Sequence, residues 1–470
     1  MTTEPNKESF RDNLSTVDSE GKRVWVYPKK PKGKFTNYRQ LVSVGLLALL
    51  FSAPFVRIGG EPLVLFNILE RKFILLGQVF WPQDFHLFVF AMITGIVFVI
   101  LFTVVFGRLF CGWMCPQTIF MEMVFRKVEY AIEGDFKQQK KLAKQDWNFE
   151  KIWKKTLKHL IFLAISFLIG NVFLAYIIGS EELIAIITEP MDAHFVGFIS
   201  MLVFSAIFYG VFAWMREQIC TTVCPYGRLQ GVLLDRNSLI VAYDYIRGER
   251  SAGRAKFRKK EDREELGKGD CIDCGHCVDV CPTGIDIRNG TQLECVNCTA
   301  CMDACDHMME AVDLKKGLIG YKTEESIANR VPFSFTTRVK GYTAVLSILI
   351  IALTALLMSR SAVETSILRT PGVMFQKQVD GRYSNLYNYK VINKTNDSFR
   401  VHFEIEEMEG EIKMIGDLDM VAPQGVFEGA MFIIFDKEEL DGLKTKLNVG
   451  VYEGDKRIEV VSTNFMGPAT

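Results

Sequence analysis

The chain contains 470 residues, too many for one ordinary globular domain, so several domains are expected. Its 55 Lys and Arg balance its 55 Asp and Glu, and 36 Phe with 14 Pro indicate that much of the apolar content faces lipid. The sequence contains no phosphate loop, dinucleotide fingerprint or hydrolytic triad. This composition favours contact with a membrane over binding of nucleic acid.

Residues 1–38 are polar, and we predict that they form a cytoplasmic tail without a cleavable signal peptide. Five apolar runs without charges follow, each near the roughly 20 residues that a helix needs to cross hydrocarbon. We predict a multi-domain membrane protein with about five transmembrane α-helices, four within residues 39–230 and a fifth within 340–360. The first run is short and contains Pro54. The runs are residues 41–56, 85–106, 160–178, 195–215 and 342–358.

The distribution of basic residues predicts the orientation in the membrane. The loop at residues 107–158 is rich in Lys and Arg, whereas the loop at residues 179–193 contains neither. If the N-terminus is inside and the number of spans is odd, the C-terminal region lies outside. We therefore predict a multi-pass protein of the bacterial inner membrane, with a cytoplasmic N-terminus and a periplasmic C-terminal domain.

The second and fourth predicted spans are each followed by a C-x-x-x-C-P motif. If the helix continues that far, the spacing of four places both sulfurs on one face, and the proline suits a break in the chain. The repetition indicates a duplicated two-span unit. The thiols could bind soft Cu(I), form a dithiol-disulfide relay, contact a further redox partner, or merely pack. The motifs are Cys111-Gly-Trp-Met-Cys115-Pro116 and Cys220-Thr-Thr-Val-Cys224-Pro225.

The other eight cysteines form two C-x-x-C-x-x-C-x-x-x-C runs within residues 231–335. In bacterial ferredoxins, the first three cysteines of such a run bind one 4Fe-4S cluster and the fourth binds the other. We therefore predict a cytoplasmic ferredoxin-like α+β domain with two clusters. The first ligand set is Cys271, Cys274, Cys277 and Cys305, and the second is Cys295, Cys298, Cys301 and Cys281.

Two alternatives to this ligand assignment remain open. Pro282 follows the first run as expected, but Asp306 stands where the second run should have proline, and the nearby His307 is an alternative ligand to Cys305. Zinc sites use paired C-x-x-C units with four ligands in all. Eight cysteines in two runs of four fit this pattern poorly.

Residues 370–470 alternate apolar and polar residues in short stretches, as at residues 399–406. Further short apolar runs occur at residues 431–435, 447–451 and 458–461, separated by turn residues. This pattern predicts a small β-sandwich. No catalytic constellation is visible within it.

Together these motifs resemble the FixG/CcoG family, the accessory proteins of the cbb3-type cytochrome c oxidase. The resemblance covers most of the chain and includes both cysteine motifs and the C-terminal β domain, which is immunoglobulin-like in this family. It implies reduction of Cu(II) to Cu(I) for copper delivery, with the oxidase and its copper-delivery proteins as partners. Further matching segments are Val24-Trp-Val-Tyr-Pro28, Phe80-Trp-Pro-Gln-Asp84 and Tyr243-Asp-Tyr-Ile-Arg-Gly-Glu-Arg250.

Three functional hypotheses follow from these observations. In the first, the protein is an oxidoreductase that reduces copper, with electrons from an unidentified cytoplasmic donor. In the second, it is an electron-transfer subunit of the quinol dehydrogenase type. In the third, it is an assembly scaffold or redox sensor without enzymatic activity. The first assigns catalysis to Cys111, Cys115, Cys220 and Cys224.

Overall fold

The computed structural model of the protein describes residues 15–468, apart from residues 19, 69–71, 76, 81–83, 191, 192, 260, 333, 360, 362, 373, 396, 417–419 and 424. The start of the predicted N-terminal tail and residues 81–83 of the motif that begins at Phe80 lie outside the described residues. Contacts divide the chain into two compact units. One comprises Met1–Val56, Leu63–Arg71 and Gln83–Leu353, and the other comprises Arg57–Pro62, Lys72–Pro82 and Thr354–Thr470.

The described residues form the following helices and strands, and each kind is numbered in chain order. The helices are α1 (Lys34–Ser52), α2 (Phe85–Phe106), α3 (Leu109–Trp113), α4 (Pro116–Ile119), α5 (Arg126–Ile132), α6 (Phe136–Lys144), α7 (Phe149–Ile178), α8 (Ser180–Thr188), α9 (Phe195–Gly210), α10 (Pro225–Leu233), α11 (Tyr245–Glu249), α12 (His276–Asp279), α13 (Ala300–Ala311), α14 (Glu324–Ala328) and α15 (Thr337–Met358). The strands are β1 (Arg57–Ile58), β2 (Glu61–Pro62), β3 (Val64–Asn67), β4 (Lys72–Leu75), β5 (Gln78–Phe80), β6 (Ile240–Tyr243), β7 (Ile319–Lys322), β8 (Val363–Arg369), β9 (Gln376–Lys377), β10 (Tyr383–Asn393), β11 (His402–Glu406), β12 (Gly410–Ile415), β13 (Val426–Phe435), β14 (Thr445–Glu453) and β15 (Lys456–Phe465).

Four helices in the described part of the chain are long and apolar enough to cross a membrane. They are α2, α7, α9 with the π-helical turn that follows it, and α15, and they contain four of the five predicted runs. The remaining run forms the second part of α1, which is not one of the four. Lys34 and Arg39 lie in the first turns of α1, and the helix ends at Ser52, shortly before Pro54. Because its uncharged stretch is short, the fifth span stays a prediction.

Neither α2 nor α9 continues through the C-x-x-x-C-P motif that follows it, so the condition for placing both sulfurs on one helix face is not met. The chain leaves α2 at Gly107, where φ is 55°, and leaves the π-helical turn after α9 at Arg216, where φ is 53°. In each motif the proline opens a new helix, Pro116 in α4 and Pro225 in α10. This position suits proline because the first helical residue needs no N–H donor.

Buried ion pairs hold the polar ends of the helices together around Glu129 on α5. Both guanidinium NH₂ groups of Arg216 donate to the Glu129 carboxylate, at 2.6 and 2.8 Å. The Lys158 ammonium lies 3.6 Å from Glu129 and 3.0 Å from Glu133. Burial alone would raise the pKa of Glu129, but Arg216 and Lys158 lower it to about 2. These pairs fasten α5 to α7 and to the chain that follows α9.

The cysteine runs lie in an α+β segment of the first unit, as predicted. Strands β6 and β7 pair antiparallel, with Val241 opposite Tyr321, and helices α12 and α13 lie between them in sequence. The small apolar core of this segment includes the buried Cys271, Cys277 and Cys305. The core is therefore built around the residues that are predicted to bind iron.

The second unit contains the predicted β-sandwich, which is confirmed. One sheet has the strand order β12-β13-β10-β8, with β9 also paired to β10, and the other has the order β11-β14-β15. All strand pairs with a defined register in these two sheets are antiparallel. Apolar side chains such as Tyr387, Met431 and Val449 are fully buried in the core. The predicted runs at residues 431–435, 447–451 and 458–461 lie in β13, β14 and β15.

We expect Glu129→Gln to destabilise the protein by about 3–5 kcal/mol, because Arg216 would keep a buried charge without its carboxylate. Thermal unfolding in detergent should therefore begin at a lower temperature. The pair's contribution should be complete above about pH 4.5 and decline as the pH falls toward 2, since Glu129 must then be protonated. Glu150→Gln is the matched control, because Glu150 forms an exposed pair with Lys154 at 2.6 Å. Equal behaviour of the two variants would contradict a structural role for this network.

Candidate iron-sulfur and thiol sites

The two ferredoxin-like runs form loops with the same backbone conformation. Asp273 and Asn297 hold equivalent positions, and each has φ 53°. Two residues later, Gly275 has φ 73° and Thr299 has φ 65°, and helices α12 and α13 begin directly afterwards. Gly, Asp and Asn adopt this left-handed conformation readily, but a β-branched residue such as Thr299 rarely does. The structural repeat thus follows the sequence repeat even where it costs about 1–3 kcal/mol of strain.

The cysteines of the second predicted ligand set surround a small cavity. Cys301 is partly buried here, and desolvation together with Cys298, Cys295 and Cys281 raises the pKa of its thiol well above the usual value. The last of these residues comes from the first run, as the ferredoxin pattern requires. The structure therefore brings together the four cysteines that the sequence predicts.

The cysteines of the first predicted set also lie together. Burial, followed by the nearby Cys277, Cys271 and Cys274, raises the pKa of Cys305 to about 12. Cys305 is buried among the apolar residues of the segment, whereas Cys274 is exposed. The alternative ligand His307 is exposed on α13. The geometry favours Cys305 as the fourth member of this set.

Backbone N–H groups converge on the thiols of the second set. Their effect on the thiols tests whether these residues suit an iron-sulfur cluster. Burial raises the pKa of these thiols, and the backbone N–H groups act in the opposite direction. Such donors stabilise anionic sulfur, and hydrogen bonds to sulfur help to set the potential of an iron-sulfur cluster. The residues present therefore fit iron-bound thiolates. The donors are Asn297 to Cys295, Ala300 to Cys298, and Thr283, Gly284 and Ile285 to Cys281.

The side-chain arrangement fits single-ion sites less well. Among the described residues, no three His, Cys, Asp or Glu side chains form a group that could hold one metal ion. A structural zinc site needs four ligands around one ion. A cube instead distributes its four thiolates over four irons. Eight cysteines in two runs of four match the cluster pattern better than this zinc pattern, as the sequence predicts.

The four cysteines of the C-x-x-x-C-P motifs lie close together beyond the ends of α2 and α9. Burial first, and then Cys115, Cys111 and Cys224, raise the pKa of Cys220 to about 12. Burial also raises the pKa of Cys111 to about 11, although the hydrogen bond with Gln230 acts against it. The amide Nε2 of the buried Gln230 donates to the Cys111 sulfur at 3.2 Å. None of the twelve cysteines, all of which are described, forms a disulfide.

The first motif is in direct contact with the loop of the second ferredoxin run. A β-carbon on Gly112 would lie 2.4 Å from the carbonyl oxygen of Val296 and 2.7 Å from that of Asn297. The chain can therefore approach this closely only with glycine at the position. The carbonyl oxygen of Gly112 also accepts a hydrogen bond of 2.6 Å from Nε of the buried Arg39. This contact joins the thiol motif to the predicted second cluster site.

Arg108 lies between the two groups of thiols. Its guanidinium donates to the backbone carbonyl of Leu293, just before the second run, and to that of Gly227 at 2.8 Å. Burial lowers the pKa of Arg108, while the nearby Cys111 and Cys295 act to raise it. One buried cation is thus close to a cysteine of each group. It favours the anionic form of both sulfurs.

Sequence reasoning missed several residues that position these sites. The carboxylate of Asp303, between two cysteines of the second run, accepts from the backbone N–H groups of Phe35 at 3.0 Å and Thr36 at 2.7 Å, and so caps α1. Glu129 and Gln230 were also missed. A capping motif is normally found within a few residues of the helix it caps, so no local signal revealed Asp303.

Three protein-family models match the chain. A 4Fe-4S dicluster domain matches residues 215–324, which include both ferredoxin runs. A 4Fe-4S binding domain matches residues 88–137, which include Cys111 and Cys115. The IG-like fold at the C-terminal of FixG matches residues 353–468, which agrees with the β-sandwich.

Several known proteins are similar over most of their length. Protein RdxA of Cereibacter sphaeroides is 33% identical over 403 residues, which cover 83% of each chain. The nitrogen fixation protein FixG of Rhizobium meliloti is 31% identical over 424 residues, covering 82% of this chain and 80% of FixG. Protein RdxB of Cereibacter sphaeroides is 34% identical over 391 residues, covering 80% and 81%. The chain belongs to the FixG family.

Membership of the FixG family agrees with the molecule described above. This FixG-family protein is an iron-sulfur electron-transfer protein with 4Fe-4S domains, apolar helices suited to a membrane and an immunoglobulin-like C-terminal domain. The number of clusters and the ligand of each iron remain predictions for this chain.

We expect Cys274→Ser and Cys298→Ser each to remove about half of the bound iron and acid-labile sulfide, because each variant loses one ligand of a different cluster. The double variant should lose nearly all of it. Iron, sulfide and visible absorption of the purified proteins measure the effect. Cys224→Ser is the control and should keep the full content. A wild-type protein that contained zinc and no acid-labile sulfide would contradict the cluster assignment.

Proposed function

We propose that this FixG-family protein reduces Cu(II) to Cu(I) at the four C-x-x-x-C-P thiols during assembly of a cbb3-type cytochrome c oxidase. The observation that carries the proposal is the convergence of these thiols beside the second ferredoxin run, where Gly112 touches the backbone of Val296 and Asn297. When bound, two 4Fe-4S clusters would supply one-electron transfer. The copper ion is the substrate and gains one electron.

The chemistry of the thiols supports this choice of substrate. Thiolates are soft ligands and stabilise Cu(I) more than Cu(II), so binding at sulfur favours the reduced product. Burial raises the pKa values of Cys111 and Cys220, which favours the protonated form of both thiols. Copper must therefore displace protons as it binds. The Arg108 cation and the Gln230 amide then stabilise the sulfur that becomes anionic.

The arrangement supports a site of low coordination number. Each C-x-x-x-C-P motif supplies two thiols, so we assign two thiols to one copper. Few ligands suit a substrate that must leave again for a copper-delivery protein. The exchange partners of the protein would be such delivery proteins and the oxidase itself.

We further propose that the N-terminus and the ferredoxin-like segment are cytoplasmic and that the β-sandwich is periplasmic. The proposal depends on an odd number of spans and on the excess of Lys and Arg at residues 107–158. It requires α1 to span the membrane together with the four longer apolar helices. A cytoplasmic donor would then supply the electrons.

One observation favours quinol oxidation as a second candidate function. An apolar cavity of about 460 Å³ lies among aromatic side chains, with Trp113 and Tyr321 in its wall. The indole N–H of Trp113 donates to the Tyr321 hydroxyl at 3.0 Å, and Tyr321 lies near Cys298 and Cys295. A lipid-soluble quinol placed here would be close to the second cysteine set. The volume is within the range of small-molecule sites.

We expect replacement of Cys111, Cys115, Cys220 and Cys224 by Ser to lower copper reduction at least tenfold, because hydroxyl groups bind Cu(I) weakly. Protein reduced in advance and freed of excess reductant would be mixed anaerobically with Cu(II) and a Cu(I)-specific chelator. The variant should keep its full content of iron and acid-labile sulfide, which serves as the control. Wild-type Cu(I) formation by this variant would mean that the thiols are structural. If the thiols instead form a dithiol relay, mass analysis of the oxidised wild-type protein should detect a disulfide.

We expect Gly112→Ala to slow copper reduction several-fold, because the added methyl group would overlap two backbone carbonyls and push the motif from the cysteine loop. Overpacking of this kind costs about 1–3 kcal/mol, so thermal unfolding should also begin earlier. Gly95→Ala on α2 is the matched control, since its added methyl group would meet no other atom within 4 Å. If both variants reduced copper at the wild-type rate, the contact would have no part in electron delivery.

A further inference from the structure

A basic cavity of about 470 Å³ lies beside the first cysteine set, away from the thiol motifs. Its wall is formed by the segment before α1, by the start of α12 and by α13. The cavity is within the size range of small-molecule sites and carries both cations and aromatic rings. The side chains that matter are Lys29, Lys30, Lys32, Tyr130, His276 and His307.

Backbone contacts hold the segment that carries the lysines in place. The N–H of Lys29 donates to the carbonyl oxygen of Asp279 at 2.7 Å. The N–H of Lys30 donates to the carboxylate of Asp135 at 3.0 Å, and the Tyr130 hydroxyl donates to the preceding carbonyl of Pro28 at 3.0 Å. The three lysines therefore extend from a fixed backbone, so that their positive charge is concentrated at the cavity.

Among the described residues, three lysines outnumber the two acids at or near this cavity. No ion pair joins Lys29, Lys30 or Lys32 to another described residue. The acids nearby are Asp279 and Asp135, and the carboxylate of Asp135 already accepts from two backbone N–H groups. An anion that binds in the cavity would therefore interact with three lysine cations. Lysine is a common ligand of phosphate groups.

The cavity also adjoins the residues predicted to hold the first cluster. His276 precedes Cys277 on α12, and His307 lies two residues after Cys305 on α13. The exposed Cys274 belongs to the same loop as His276. A molecule in the cavity would therefore be near the most accessible edge of the first cysteine set. The rings of His276, His307 and Tyr130 offer flat surfaces for an aromatic ligand.

We propose that this cavity binds a phosphorylated flavin through its phosphate group and so receives the electron donor of the protein. A flavin suits the site because it can release electrons singly, as an iron-sulfur protein requires. One reduced flavin, as its hydroquinone anion, releases two electrons and one proton and becomes oxidised flavin. Two one-electron transfers to the protein accept both electrons, and the proton passes to solvent. This inference rests on the proposed function, in which a cytoplasmic donor supplies the electrons.

The test is a binding measurement on the full-length protein in detergent, without copper and without turnover. Flavin mononucleotide is titrated with the protein, and quenching of flavin fluorescence reports binding. The Lys29→Gln, Lys30→Gln, Lys32→Gln triple variant should bind at least about tenfold more weakly, since three charge contacts are lost. Riboflavin, which lacks the phosphate, should bind the wild-type protein as weakly as flavin mononucleotide binds the triple variant. The matched control replaces the exposed Lys437, Lys444 and Lys446 by Gln and should bind like the wild type.

The competitors distinguish the sources of phosphate. Inorganic phosphate at high concentration should displace the flavin partially, because it fills only the cationic part of the cavity. Equal binding of flavin mononucleotide by the two triple variants, or equal binding of riboflavin and flavin mononucleotide by the wild type, would overturn the proposal. Complete displacement by vesicles of anionic lipid would also overturn it, because the lysines would then be a lipid headgroup site. Copper reduction is not measured here, so failure of this test is separate from failure of the proposed function.

Discussion

The close contact between Gly112 and the backbone of Val296 and Asn297 is the constraint on which the arrangement of the two thiol groups depends. It leaves no room for a β-carbon, so the first C-x-x-x-C-P motif is held against the second cysteine run. Arg39 fixes the same glycine from α1, and Arg108 joins the motif to the chain just before the run. Backbone groups make most of these contacts, which keeps the distance short.

A second set of contacts orients the ferredoxin-like segment on the helices. Asp303 lies on α13 between two cysteines and caps α1 through the N–H groups of Phe35 and Thr36. The carboxylate satisfies donors at the start of a helix and favours the positive end of its dipole. A residue within the second cysteine run therefore also fixes the start of α1. The buried pair of Glu129 and Arg216 performs the corresponding role for α5 and the chain after α9.

The two ends of the proposed electron path in the first unit differ in charge. Lys29, Lys30 and Lys32 form no ion pair with another described residue and place positive charge near the first cysteine set, which suits the anionic donor that we propose. At the other end, burial raises the pKa values of the Cys111 and Cys220 thiols, which would exchange their protons for copper in the proposed function. A donor and an acceptor of opposite charge can thus use separate surfaces. Neither needs to enter the apolar core that holds the cysteine runs.

The sequence by itself determined the elements whose signals are local. Cysteine spacing predicted the two ferredoxin-like runs, apolar runs predicted the four long helices, and alternation of apolar residues predicted the β-sandwich. Local signals left open whether α2 and α9 continue through the C-x-x-x-C-P motifs, because the breaks at Gly107 and Arg216 depend on backbone conformations that the apolar pattern does not encode. Only the tertiary structure placed Gly112 against Val296 and joined the lysines before α1 to the first cysteine set. These contacts link residues far apart in sequence, and packing between distant elements decides them.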